Sequence, residues 1–305
     1  MVYRAVGGHP RALEYLNAIL NRGEARMTDV KKRLREKAKE LNLDLDDPGV
    51  TLEQAVGRTL EVAAKDILLD ELLEMVAQDR EVLFQVSVFP MPAPEAGVAS
   101  CLGMDRGEAG RALERLGQSS LVTRLADDHV WVHRWTAEGL CGRMGEEKLR
   151  ECCRTGGEYL HGQAAESRSL SDMVAAVRLY LAAAEYDRAA GIGEGILAFL
   201  VRFGRVADRE MLARELADGV PQDHERHFYF LAAEADAPFA LGLTAEALQL
   251  WRRVVETLER RSADYPDRAD YLRDLSVSYR RMGDLLGRLG AGEEARQFYQ
   301  QALEI

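Results

Sequence analysis

The amino-acid sequence predicts a mainly α-helical fold with one small β-hairpin, and three observations support this. Ala, Leu, Arg and Glu dominate a chain with only 7% aromatic residues, a composition typical of helices packed through small side chains. Apolar residues recur at helical spacing in most segments. Alternating apolar and polar residues appear convincingly in one place, residues 121–132, where the turn ADDH separates two short runs.

Length, charge and cysteine content limit the classes of function. A chain of 305 residues predicts two or three domains, and its net charge of −11 opposes binding to phosphate backbones, so nucleic-acid binding is not expected. The four cysteines show no paired CxxC spacing and are expected to be reduced thiols. No segment has the pattern of a signal peptide or a membrane span, which predicts a cytoplasmic protein.

Residues 1–72 are predicted to form a small helical domain. Pro10 is expected to occupy the first turn of a helix, where its missing N–H costs nothing. A second helix is predicted from Thr28 to Leu41, with a basic face that is interpreted as solvated. Thr51 and Gln54 have the spacing of a capping box and predict the start of another helix.

Residues 73–148 are predicted to form a winged-helix domain. An apolar helical stretch ends at Pro90, a short helix is expected over 95–102, and Asp105 is expected to cap a third helix that ends near Gly117. The hairpin follows, with its strands in Leu121–Leu125 and Val130–Val132. Three helices followed by a hairpin is the order of elements in a winged helix.

Residues 149–305 are predicted to form an α-α superhelix of repeated helix pairs. Small residues at fixed offsets let the two helices of a pair touch, while aromatic residues fill the gaps between them. The last segment has this pattern at Tyr279, Gly283, Gly290, Ala295, Tyr299 and Ala302. It resembles the tetratricopeptide repeat family over residues 276–305, which implies a surface that binds a protein or peptide partner.

Two further copies of this repeat are predicted upstream. Ala247 and Trp251 lie forty-eight residues before Ala295 and Tyr299, with Gly242 at the turn. This spacing exceeds the usual thirty-four residues and requires longer helices or a linker, which the segment RRSADYPDRAD would supply. A third, fainter copy of the repeat has Ala189 at the position that the small residue Ala295 occupies in the last copy. Because the chain stops at the end of a repeat helix without a polar cap, more repeats are expected to follow.

The order of the three domains resembles the regulatory part of STAND (NB-ARC-like) signalling ATPases. In that family a Gly-x-Pro motif opens the small helical domain, and Gly8-His9-Pro10 is similar to it. A Met-His-Asp motif follows the second strand of the family's winged helix. Here Val132 takes the place of the Met, His133 matches the His, and Arg134 replaces the Asp.

The resemblance implies two cofactor-binding residues. The proline of the Gly-x-Pro motif lies against adenine in the family, and the histidine touches the β-phosphate of ADP. Pro10 and His133 are therefore expected to contact ADP when the ATPase domain, which is missing from this sequence, is present. The departure at Arg134 removes the family's Asp, and with it the local hydrogen bond that steadies the histidine. Proteins of this class assemble on activation, which implies an oligomer in that state.

The chain by itself is not expected to be an enzyme or to hold a cofactor. Phosphoryl transfer requires a phosphate-binding loop with its Lys, and a Mg²⁺-binding Asp, and no GxxxxGK[ST] pattern occurs. The stretch AAGIGEGIL carries Gly191, Gly193 and Gly195, but it follows a helix and lacks dinucleotide-binding spacing. These residues are interpreted as helix-packing glycines. ADP or ATP is expected in the parent protein.

The sequence leaves alternative functions open. The first hypothesis is a regulatory and interaction module that couples nucleotide state to a partner bound by the repeats. The second is a nucleotide-independent scaffold that binds partner peptides. The third is a winged-helix DNA-binding regulator, although helix 106–116 carries three arginines against two glutamates and lacks a dense basic stripe. A metal site at His224 and His227 is not expected, because no third ligand is apparent.

Overall fold

The computed structural model describes residues 10–21, 23–40 and 58–305, and the fold is mainly α-helical, as predicted. The chain divides into two compact units, Met1–Tyr159 and Leu160–Ile305. The finer predicted division into domains at residues 1–72, 73–148 and 149–305 stays a prediction. Among the described helices, none has the length and apolar character needed to cross a membrane.

The described part of the first unit contains helices and a small sheet. Its elements are α1 (Pro10–Leu20), α2 (Glu24–Glu40), α3 (Arg58–Met75), a 3-10 turn (Ala77–Asp79), α4 (Arg80–Ser87), β1 (Ala93–Pro94), α5 (Glu95–Leu102), α6 (Arg106–Gln118), β2 (Thr123–Arg124), β3 (His129–Trp131) and α7 (Arg134–Cys141). The long helix α8 (Glu146–Ser167) contains the boundary between the two units.

The leading helices α1, α2 and α3 pack against one another. Pro10 is the first residue of α1, as predicted, because a proline at this position loses no intrahelical hydrogen bond. Tyr15, Leu16 and Ile19 are buried on one face of α1, at helical spacing. Helix α2 begins at Glu24, four residues before the predicted start. The capping box predicted at Thr51 lies outside the described residues.

The three-helix-plus-hairpin order predicted for the middle of the chain is present. Helix α5 has the predicted bounds, and the Asp105 side chain caps α6 by accepting hydrogen bonds from the backbone N–H groups of Gly107 and Glu108. Strands β2 and β3 pair in antiparallel register, with Thr123 opposite Trp131, which confirms the hairpin; β2 is shorter than predicted, and β3 begins and ends one residue earlier than predicted. β1 adds a third strand, giving the sheet order β1-β3-β2.

The second unit is a series of helices in which, from α9 to α15, each helix packs on the next. It comprises the end of α8 followed by α9 (Leu170–Ala182), α10 (Tyr186–Arg202), α11 (Val206–Gly219), α12 (His227–Ala240), α13 (Thr244–Asp264), α14 (Ala269–Arg288) and α15 (Gly292–Glu304). Much of the segment predicted as a linker between repeats extends α13 to Asp264. The forty-eight-residue spacing therefore arises mainly from longer helices.

The same turn joins four of these helix pairs. Ala184, Gly204, Gly242 and Gly290 all have left-handed backbone conformations, with φ between +60° and +79°. In each turn the next residue's N–H bonds a carbonyl five residues back, as in a Schellman motif: Glu185 N to Tyr180 O, Arg205 N to Leu200 O, Leu243 N to Pro238 O and Ala291 N to Leu286 O. The turn at Ala184 lies five residues before Ala189, which supports the faint third repeat unit.

Gly283, the predicted point of closest approach in the last helix pair, lies directly against a side chain of α15. A Cβ atom at Gly283 would lie 2.6 Å from Cε1 of Tyr299, a distance that real Cβ atoms do not adopt. Ala295 and Ala302 are buried in the same pair. The Tyr299 ring covers Gly283, as predicted for an aromatic residue that fills the gap between two helices. It stays 39% exposed, and its hydroxyl donates to Asp284 at 2.8 Å.

Candidate functional sites

His133 is the exposed N-cap residue of α7. Its Nδ1 atom accepts a hydrogen bond from the backbone N–H of Trp135 at 3.3 Å, and its carbonyl accepts from Thr136 and Ala137. Because Nδ1 accepts, the proton of the neutral imidazole lies on Nε2. The exposed ring therefore offers Nε2–H as a hydrogen-bond donor, which suits contact with an anion.

Arg134 takes no part in positioning His133. Its guanidinium is 86% exposed and forms an i,i+4 ion pair with Glu138 at 2.9 Å. The bond from the Trp135 N–H to His133 instead holds the imidazole. Where the Asp of the family motif would hold the histidine, this chain has Arg134, and the backbone N–H of Trp135 holds His133 instead.

Tyr15 connects the helix that starts at Pro10 with the helix that starts at His133. The Tyr15 hydroxyl forms a short hydrogen bond with the hydroxyl of Thr136. Its ring also lies 5.7 Å from the ring of Trp135, and burial raises the pKa of Tyr15 to about 12. α1 and α7 therefore meet close to the N-terminus of α7, while Pro10 itself is exposed.

A lysine from α3 packs on the same aromatic cluster. The Lys65 ammonium lies 4.2 Å from the centre of the Trp135 ring, within the range of a cation–π contact. Burial lowers the pKa of Lys65. Trp135 thus contacts α1 through Tyr15 and α3 through Lys65, so three segments of the first unit converge beside His133.

Sequence reasoning missed Tyr15, Lys65 and Trp135 as neighbours of the predicted site. The available signals were the position of Tyr15 on the apolar stripe of α1 and that of Trp135 two residues after His133. The pairing of Tyr15 with Thr136 spans 121 positions, and no local pattern reports such a contact.

The second unit contains a cavity of about 440 Å³ lined by aromatic side chains of α12, α13 and α14. The aromatic residues are Phe228, Tyr229, Trp251 and Tyr271. Trp251 is only 4% exposed, and its Nε1–H has no hydrogen-bond partner among the described residues. A buried donor without a partner is costly, so a ligand with a hydrogen-bond acceptor would be favoured near Trp251.

Paired charges stand at the edge of this cavity. Arg268 lies 4.7 Å from the Tyr271 ring centre and binds Asp270 at 2.7 Å, which lowers the pKa of that carboxyl to about 2. Arg226 pairs with Glu194 at 3.3 Å. Aromatic faces surrounded by charges of both signs provide a surface suited to a peptide.

Of the three glycines of α10 that were predicted to pack helices, Gly193 does so and Gly195 does not. Gly193 is buried, and a Cβ atom there would lie 2.6 Å from Cδ1 of Leu216 in α11. Gly195 faces open space. All three glycines lie inside the helix, whereas a dinucleotide-binding loop would precede one.

His224 and His227 make separate contacts. The His224 Nε2 atom lies 3.1 Å from an Asp187 carboxylate oxygen, whereas His227 is buried with Nδ1 3.0 Å from the Val220 carbonyl. Burial lowers the pKa of His227. Across residues 10–21, 23–40 and 58–305, no group of three or more His, Cys, Asp or Glu side chains has the arrangement of a metal site.

Two of the three arginines on α6 are engaged within the protein. Arg115 binds the buried carboxylate of Asp79 with both Nε and Nη2, and Arg106 pairs with Asp128. These pairs reduce the positive charge available to a phosphate backbone, which argues against α6 as a DNA-reading helix.

Comparison with known proteins yields only weak structural similarity. No family model and no curated protein matches the chain. The chain is similar to the crystal structure of a signal transduction ATPase with numerous domains (STAND) protein with a tetratricopeptide repeat sensor from Pyrococcus horikoshii, with a TM-score of 0.31 and 13% identity. The match covers 90% of this chain and 53% of the other, so this chain spans about half the length of that protein. Similarity at this level carries no conclusion about function, which has to come from the residues themselves.

Proposed function

We propose that this chain is the regulatory and protein-interaction portion of a STAND-type ATPase switch. The observation that carries the proposal is the junction of α1 and α7, in which Tyr15 contacts Trp135 and Thr136. It joins the helix opened by Pro10 to the helix capped by His133, the two residues whose motifs resemble nucleotide contacts.

In this proposal the small helical and winged-helix domains form a lid over a nucleotide held by a separate ATPase domain. Pro10 would lie against the adenine, and the Nε2–H of His133 would donate to a phosphate oxygen of ADP. The chain itself supplies no catalysis. Bound ADP holds one arrangement of the lid, and a protein partner on the repeats favours another, because each ligand binds one arrangement more tightly.

The test is ADP retention by the cytoplasmic full-length protein that carries this chain and its ATPase domain. Loss of one charge-assisted hydrogen bond in His133→Ala should weaken ADP binding by about tenfold or more, or raise basal activation. Arg134→Ala is the matched control, because Arg134 is adjacent, exposed and paired only with Glu138. Equal ADP retention and equal activation in both variants and the wild type would refute the role of His133.

A nucleotide-independent scaffold is the second candidate, supported by the aromatic cavity beside Trp251. A scaffold would bind its protein partner with one affinity whatever nucleotide is present. A switch would bind the partner differently in the ADP and ATP states. Measuring partner affinity of the full-length protein in both states separates the two functions.

A further inference from the structure

A groove in the second unit is lined by the end of α8, by α9 and by α10. Its volume is about 490 Å³, which is within the range of small-molecule binding sites. The large apolar side chains that line it are Leu170 and Met173 of α9 and Ile192, Ile196 and Phe199 of α10. Phe199 is 45% exposed, so a large ring borders the groove without being covered. An apolar ligand would therefore gain free energy by covering this surface.

Small residues keep the groove open. Gly191 and Gly195 lie one helical turn apart on α10 and line the groove, as do Ala164 and Ala165 of α8. A Cβ atom added at Gly195 would meet no atom within 4 Å. The backbone of α10 therefore borders the groove directly, and a larger side chain at Gly195 would enter the groove without disturbing the packing of the helices.

One unpaired positive charge borders this apolar groove. Among the described residues that line it, Arg168 is the one Arg, Lys, Asp or Glu. Its side chain has no ion-pair partner in the described part of the chain, whereas Arg178 of α9 holds Glu215 with two hydrogen bonds of 2.8 Å. His161, another lining residue, packs its ring edge-on against Tyr180. An apolar groove bordered by one unpaired cation complements an anion that carries an apolar body.

We propose that the groove binds a small amphiphile with an alkyl tail and a carboxylate head. The tail lies against Met173, Ile196 and Phe199, and the head pairs with Arg168. The lining stretch of α10, from Gly191 to Phe199, is about 12 Å long, which suits a single alkyl tail better than a docked protein helix. This inference goes beyond the proposed function, because neither the switch nor the scaffold requires such a ligand.

The experiment measures the affinity of the purified chain for octanoate, decanoate and dodecanoate by calorimetry, below the concentrations at which they form micelles. Each added methylene that is buried should lower the Kd by about fourfold. Decyltrimethylammonium has a tail of similar length and the opposite charge. It should bind about tenfold more weakly than decanoate, because the groove offers a cation and no carboxylate among its described lining residues.

Two variants test the two parts of the ligand separately. Gly195→Leu fills the groove and should raise the Kd for decanoate by about tenfold or more. Arg168→Gln removes the cation and should raise this Kd by about threefold to tenfold, without weakening decyltrimethylammonium. Gly162→Leu is the matched control and should bind decanoate as the wild type does. Gly162 is an exposed glycine of α8 that does not line the groove, and a Cβ atom there would meet no atom within 4 Å.

The results that would overturn the proposal are distinct. Absence of decanoate binding overturns it, and so does an equal Kd for Gly195→Leu and the wild type, which places the ligand elsewhere. Equal affinities for decanoate and decyltrimethylammonium contradict the carboxylate head. If the chain dimerises in sedimentation and Gly195→Leu makes it monomeric, a second copy covers the groove and the proposal is wrong. Should Gly195→Leu fail to fold by circular dichroism, Ala165→Leu, which fills the groove from α8, is judged by the same criteria.

Discussion

Two glycines of α10 allow a matched test of how the repeat helices pack. Gly193→Ala and Gly195→Ala gain the same helix propensity, about 1 kcal/mol each. At Gly193 the new methyl would meet Leu216 Cδ1 at 2.6 Å and Cδ2 at 3.0 Å, and Leu216 is fully buried and has little room to move. Overpacking of this kind costs about 1–3 kcal/mol. A methyl group added at Gly195 would meet no atom within 4 Å, so the second variant retains the propensity gain.

The expected result is therefore a difference between the variants. Gly195→Ala should stabilise the protein by about 1 kcal/mol, and Gly193→Ala should be less stable than Gly195→Ala by about 1–3 kcal/mol. Urea unfolding, with hydrogen exchange of α10 and α11 amides, measures both values. If the two variants have equal stability, the close approach of α10 to α11 and the packing role of Gly193 are wrong.

Three further predictions concern both units. Ala184→Gly should stabilise the second unit by about 0.5–1 kcal/mol, because alanine is strained at φ +60°; an unchanged midpoint in urea would count against this strain. Arg143→Met should destabilise the first unit by about 2 kcal/mol, since it removes the 2.6 Å ion pair with Asp70; thermal melting against Arg143→Lys tests this. Burial raises the pKa of Cys101 and Cys153 to about 12, whereas thiols in the unfolded chain ionise near about pH 8.5. Between these two values only the unfolded state loses the protons. The free energy of unfolding is therefore unaffected below about pH 8.5 and falls as the pH rises towards 12. Urea unfolding at pH 7 and pH 10 checks this, and stability that rises with pH would oppose it.

Much of the local structure was predictable because its causes lie within a few residues. The Asp105 cap, the bounds of α5 and the hairpin turn follow from capping chemistry and from alternation. The repeat register followed from glycines and alanines at fixed offsets, since only small residues fit where two helices touch. Pro10 and His133 were found by resemblance to motifs, and their roles stay predictions.

The amino-acid sequence by itself determined the helical class, the order of the elements and the turns at Gly242 and Gly290, because periodicity, caps and backbone preferences act over short distances. Only the tertiary structure decided that Tyr15 meets Thr136, that Lys65 packs on Trp135, and that Trp251 Nε1–H has no acceptor among the described residues. These facts depend on contacts between segments far apart in the chain. Which buried donors find an acceptor is a property of the packed fold, and no local pattern encodes it.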